Sequence, residues 1–363
     1  MKPLQSLVFC FAIPLMLGAD LAVASNINLE NKQGRNLVTT QNQTPRFSNP
    51  EYLAATNYKP GINKVNFTSE GVRMVGDLYL PANYKSGKKL PVVIVTGSWT
   101  SVKEQMAGLY AKKIAEQGFA ALAFDFRYWG ESGGEPRQYE SPNAKIQDIK
   151  NAVTYLQSLP IVDSKRIGGL AVCASAGYMA HAVAEDSRIK SFATVAAWLQ
   201  EAESVRTVYG GEQAVRKKIE TGLAARRKYE KTGKVDYVAA FEQDNPNAAM
   251  SGEPLYYGNP ERGSIPEWKN RFAVMSWSEW LQFDSISAAP KVNVPTLFVH
   301  SENAALPDGV RKFYKTMPGE KKVIWMEGQQ FDFYDREPYV DKAIQAVTSH
   351  FRKSLTDTKV SQK

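Results

Sequence analysis

The chain has 363 residues, 43% of them hydrophobic, 11% aromatic and 23% charged. That balance excludes a disordered or fibrous protein and supplies enough apolar side chains for a sizeable core. The formal net charge is +8 and the isoelectric point about 9.2, but no nucleic-acid-binding motif accompanies the excess, so a solvated basic surface and no nucleic-acid partner are expected.

The chain opens with Lys2, an apolar run from Leu7 to Leu17 and the small-x-small triplet Ala22-Val23-Ala24. This reads as a signal peptide cleaved after Ala24, giving an exported protein, periplasmic or secreted. The run is short for a bilayer span of about 20 residues and Asp20 interrupts it, so no stable membrane anchor is expected. Cleavage removes Cys10 and leaves Cys173 without a disulfide partner. Residues 25–60, rich in Asn, Gln, Thr and Pro, read as a flexible N-terminal arm.

From about residue 62 the pattern becomes regular. "KVNFTSEGVRMVGDLYLP" reads as a hairpin turning at Glu70-Gly71. "LPVVIVTG" and "FAALAFDF" are short continuous apolar runs of the kind buried on both faces, with a helix from Gln105 to Gln117 between them. "NAKIQDIKNAVTYLQSL" is an amphipathic helix. "RIGGLAVCA" is a strand, "AGYMAHAVAE" a helix and "IKSFATVAAWL" a strand. The strands "PTLFVH" and "KKVIWME", each followed by a helix, close the series. Alternation of this kind implies an α/β fold, a mostly parallel twisted sheet with helices on both faces. The core is expected over 61–199 and 287–363. Residues 200–286, first charged and helical, then aromatic and Pro/Gly-rich, break the alternation and read as a helical cap inserted late in the sheet. The basic run Arg216 to Lys234 is expected on its wet face.

Cys173-Ala174-Ser175-Ala176-Gly177 follows a strand and opens a helix. A sharp turn there presents its central residue, so Ser175 is expected as the exposed nucleophile, with small neighbours two positions either side and the Ala176 N–H as an oxyanion donor. On this frame Cys173 is a buried structural thiol.

With "GSWTSVKEQM", "FDFRYWGESGG", "CASAGY", "VPTLFVHSE" and "EGQQFDFYD" in this order, the chain resembles an α/β-hydrolase of the branch containing dienelactone-hydrolase-like and acetylxylan-esterase-like proteins, over about residues 62–355. The resemblance implies that the Trp99 N–H completes the oxyanion hole. It places the base in a loop patterned G-x-T-H-x-D-x-Y-D, where this chain has Gln330, and the acid in H-G-x-x-D, where Ala304 replaces the Asp and Glu302 is the nearest carboxylate. An amide cannot take a proton at neutral pH. His181 and His350 read as packing residues and His300 as structural.

Three readings follow. The chain is a serine hydrolase, esterase-like, with a displaced base (His300, Asp332 or Glu302). Or it is a lyase, isomerase or transferase that keeps the oxyanion hole. Or it is a catalytically inactive protein that binds a ligand under its cap. Trp129, Trp277 and Trp280, with Tyr128, Tyr256, Tyr257, Trp268 and Phe283, are candidates for lining an apolar pocket for a small hydrophobic ester or acyl compound. No metal-ligand spacing, phosphate loop or dinucleotide fingerprint is present, so no cofactor is expected.

Overall fold

The computed structural model describes residues 58–356; the expected leader 1–24 and the expected arm as far as residue 57 lie outside the described residues. Strands β1 (Gly61–Ser69) and β2 (Val72–Leu80) pair antiparallel with Ser69 opposite Val72. Glu70 and Gly71 between them both take positive φ, 48° and 81°, the backbone a two-residue hairpin loop needs. Next come β3 (Leu90–Thr96), α1 (Met106–Glu116), β4 (Ala120–Phe124), α2 (Pro142–Ser158), β5 (Val162–Val172), α3 (Ser175–Glu185) and β6 (Ile189–Val195).

Between β6 and the next sheet strand the chain builds α4 (Ala202–Val208), α5 (Glu212–Thr232), the short ladder β7 (Tyr237–Val238) with β8 (Phe272–Ala273), and α6 (Ser276–Trp280). It then returns through β9 (Thr296–His300), α7 (Pro307–Thr316), β10 (Lys321–Trp325), α8 (Asp332–Asp335) and α9 (Tyr339–Phe351).

The main sheet has the order β1-β2-β4-β3-β5-β6-β9-β10. From β4 to β10 every neighbour is parallel, and only β2, antiparallel to both β1 and β4, runs against the rest. Residues Val92 to Val95 and Ala120 to Phe124 are buried throughout, because helices cover both sides of these central strands. Helix α1 packs with α9 and α2 with α3, each against the sheet.

The segment between β6 and β9 is tied down at its root by Gln200. Its Nε2 donates to the Trp280 carbonyl (2.7 Å) and its own carbonyl accepts from the Ser285 N–H (2.8 Å). Within the segment α5 lies close on α6: a Cβ on Gly222 would stand 2.7 Å from the Ser278 nitrogen. Arg216, Lys217, Arg227 and Lys231 of α5 are exposed, while Lys218 lies over the Trp277 ring at 4.5 Å. No helix among the described residues is long and apolar enough to cross a membrane.

Candidate active site

Strand β5 keeps register with β6 as far as Val172 opposite Val195, and α3 begins at Ser175. The change of direction falls on Cys173, whose φ of 59° is left-handed, a strained backbone for a residue with a Cβ. Three backbone hydrogen bonds hold it. The Cys173 N–H donates to the Val195 carbonyl (3.1 Å), and the Cys173 carbonyl accepts from the N–H groups of Ala176 (3.0 Å) and Trp198 (2.9 Å). The bend puts Cys173 on the wall of a cavity of about 60 Å³.

The bend therefore falls two residues before Ser175, the residue expected to occupy it. Ser175 is fully buried as the first residue of α3, and its Oγ donates to the carbonyls of Thr96 (3.0 Å) and Val172 (3.1 Å). It does not line the cavity. The Ala176 N–H closes a turn on Cys173 and is not a free oxyanion donor. Gly177 is small for another reason: a Cβ there would lie 2.4 Å from Ser285 Oγ, so the glycine serves the packing of α3. The donor next to the bend is the Ala174 N–H, which lies against the Cys173 sulfur.

The walls of the cavity are Trp99, Trp198, Tyr209, Tyr257, Trp280 and Phe331, with Ser98, Gln330 and Tyr334 as its polar members. The segment between β6 and β9 thus supplies Tyr209, Tyr257 and Trp280. Ser98 Oγ and the Tyr334 hydroxyl are 3.0 Å apart. Burial pushes the Cys173 thiol above its ordinary value of 9.0, while Ser98, Tyr334, the Ala174 N–H and Gln330 pull the other way. Burial also raises the phenols of Tyr257 and Tyr334 well above 10.0, so neither offers a phenolate base near neutral pH.

Gln330 stands beside the sulfur but is locked. Its Oε1 accepts from the Ala305 N–H (2.9 Å) and its Nε2 donates to the Ala196 carbonyl (2.9 Å). A backbone N–H thus meets this side chain from the loop where the resemblance puts an acid. Neither carboxylate offered as a base reaches the cavity. Glu302 is exposed and paired with Arg311. Asp332 accepts from the Gln329 N–H (2.8 Å) and pairs with Arg336 (3.3 Å).

The histidines are also elsewhere. His300 is fully buried, and neither ring nitrogen is within hydrogen-bond geometry of a partner among the described residues. Burial lowers its pKa to about 4 against a weaker opposing pull from the Ala305 backbone. His181 Nε2 pairs with the Asp284 carbonyl (2.9 Å), and His350 Nε2 with Ser191 Oγ (2.9 Å).

Of the tryptophans expected to bind substrate, only Trp280 lines the cavity. Trp129 is core: its Nε1 donates to the Tyr139 carbonyl (3.1 Å). Trp277 is a second layer, packed on Phe272 and Trp99 at 4.8 and 6.1 Å between ring centroids.

Beneath the site lies Glu140, fully buried. Its carboxylate accepts from the Thr100 N–H (3.2 Å), the Tyr178 hydroxyl (2.7 Å) and Lys145 Nζ (2.5 Å), and its own N–H donates to Ser276 Oγ (2.9 Å). One residue so ties the loop carrying Trp99 to α2 and α3 through its carboxylate and to α6 through its N–H. Glu104, Asp125 and Glu131 bring carboxylate oxygens within 4.8 Å of one another. Lys103 Nζ lies within that cluster, 3.1 Å from Asp125 and 2.6 Å from Glu131.

Residues 70–330 match the X-Pro dipeptidyl-peptidase (S15) family. The chain belongs to this family. It is 31% identical over 309 residues to the uncharacterized protein YcjY of Escherichia coli (strain K12), spanning 81% of this chain and 99% of that one. The crystal structure of the hypothetical protein PA2218 from Pseudomonas aeruginosa superposes with a TM-score of 0.72 at 27% identity, covering 87% of this chain and 100% of that one. The α/β hydrolase GrgF from Penicillium sp. sh18 superposes with a TM-score of 0.69 at 20% identity, covering 81% and 99% of the two chains. The S15-family chain therefore has the α/β-hydrolase fold and belongs to a hydrolase family.

Proposed function

We propose that this hydrolase-family chain takes an acyl group from a small hydrophobic activated ester, a thioester or aryl ester, onto Cys173. The observation that carries the reading is the left-handed bend at Cys173, which sets a sulfur and the adjoining Ala174 N–H in an apolar cavity. The thiol loses its proton to solvent. The thiolate then attacks the acyl carbonyl carbon, and the Ala174 N–H, with the Trp99 N–H on the neighbouring loop, stabilises the oxyanion. Collapse expels a thiolate or aryl oxide with the bonding electron pair.

Such leaving groups depart without a proton. An alkyl ester or an amide needs a general acid matched to neutral pH; among the described residues no histidine or carboxylic acid lines the cavity, and its phenols titrate far above that range. A peptide substrate of the kind in the family's name is disfavoured for a second reason: among the described residues no charged one lines the cavity to meet an amino terminus.

The locked amide of Gln330 favours a second reading. With no base to activate water, an acyl group on Cys173 is released slowly, and a ligand without a good leaving group is simply held. Incubation with phenyl acetate at pH 8 separates the two. The acylation reading expects release of phenol and a mass gain of one acetyl group, both lost in Cys173→Ala. Absence of an adduct, together with thermal stabilisation by the ester, leaves only the binding reading.

Export is proposed from residues 1–24. Sequencing of the mature amino terminus is expected to begin at Ser25, and an intact Met1 start would refute it.

A further inference from the structure

Three indoles line the cavity, and they differ in how their N–H groups are used. Trp280 Nε1 donates to the Tyr209 hydroxyl (2.7 Å) and Trp198 Nε1 to Gln200 Oε1 (2.8 Å). Trp99 Nε1 is buried with no hydrogen-bond acceptor among the described residues. The ring is held in place. It stacks on Trp280 at 5.2 Å and 27°, packs on Phe272 at 5.0 Å, and its carbonyl accepts from the Tyr257 hydroxyl (3.1 Å). A buried donor left without an acceptor is unfavourable, and a ligand that supplies the acceptor gains what an apolar isostere cannot.

We propose that the ligand carries an acceptor oxygen besides its acyl carbonyl, a keto, ether or hydroxyl oxygen in the acyl chain, and that Trp99 Nε1–H donates to it. Trp99 is then the residue that selects oxygenated acyl groups over plain hydrocarbon ones. This inference rests on the reading of the cavity as the ligand site, and not on Cys173 becoming acylated.

The test uses ketones, which have no leaving group, so it is independent of acyl transfer. Hexan-2-one is compared by calorimetry with the two analogues in which the CH₂ at C4 or at C5 is replaced by an ether oxygen, both still ketones. One position is expected to bind about tenfold tighter than the hydrocarbon. In Trp99→Phe, which keeps a ring against Trp280, that preference should vanish, the ratio of the two affinities falling to about one whatever the change in hexan-2-one binding itself. The comparison within the wild-type protein stands even if the variant folds poorly. Equal binding of all the ketones overturns the inference. So does a preference that survives in Trp99→Phe, or an equal loss for every ketone, which would assign the indole N–H to the carbonyl itself. Failure of phenyl acetate to acylate Cys173 alongside a preferred ether position would refute the acylation reading and leave this one intact.

Discussion

Cys173 has a strained backbone, a buried sulfur and an N–H donor beside it, yet none of the groups in contact with it is a base. Since burial holds the thiol above 9.0, reaction of the wild-type protein with phenyl acetate should be slow at neutral pH and climb about tenfold per pH unit to beyond pH 9. Gln330→His places a proton acceptor next to the sulfur. It is expected to raise the rate at pH 7 by roughly a hundredfold and to give a plateau near neutral pH. A variant that keeps the log-linear rise would show that position 330 does not reach the sulfur. The frame of this bend was only half legible in the sequence. Small residues flank both Cys173 and Ser175 at two positions either side, so the motif fits either. What decides is where the strand stops pairing, at Val172 against Val195, and that is a property of two strands distant in sequence.

Among the elements, the arrangement around Glu140 connects pieces of chain that meet only in the fold. Its carboxylate and Lys145 are both buried and bonded to each other, and the Thr100 N–H and Tyr178 hydroxyl complete the carboxylate. Glu140→Gln leaves the ammonium of Lys145 without its counter-charge, among the rings of Phe126, Trp129 and Tyr178. Urea unfolding is expected to register a loss of about 3 kcal/mol. Lys145→Met combined with Glu140→Gln should cost less than the two single changes summed, because both halves of one pair are gone. Additive losses would mean that the pair is not coupled. The central strands were legible because β3 and β4 are continuous apolar runs between turn residues, and β5 becomes apolar from Ile167 onward. The aromatic wall was not. Trp129, Trp277 and Trp280 are all buried, and what separates core from wall is whether neighbouring side chains leave a gap, which depends on the packing of α5, α6 and the loop after β3 together.

Over the whole molecule, acid stability is set in part by His300, which ends β9 with an imidazole kept neutral by burial. Its pKa is pushed down from 6.5 to about 4. As pH falls below 6.5 the unfolded chain takes up a proton that the folded chain refuses until about pH 4, so the folded state loses stability across that window and the loss is absent above it. The full effect is about 3 kcal/mol. Other buried groups, His350 and Asp125 among them, titrate too, so the informative quantity is the difference between wild type and His300→Phe, in which their contributions cancel. Denaturant unfolding at pH 7 and at pH 4 should shift that difference by about 3 kcal/mol in favour of the variant, whatever the constant offset from repacking against Trp325. A difference that does not move with pH would mean that the ring is already protonated in the fold, or that a buried water supplies the partner it lacks.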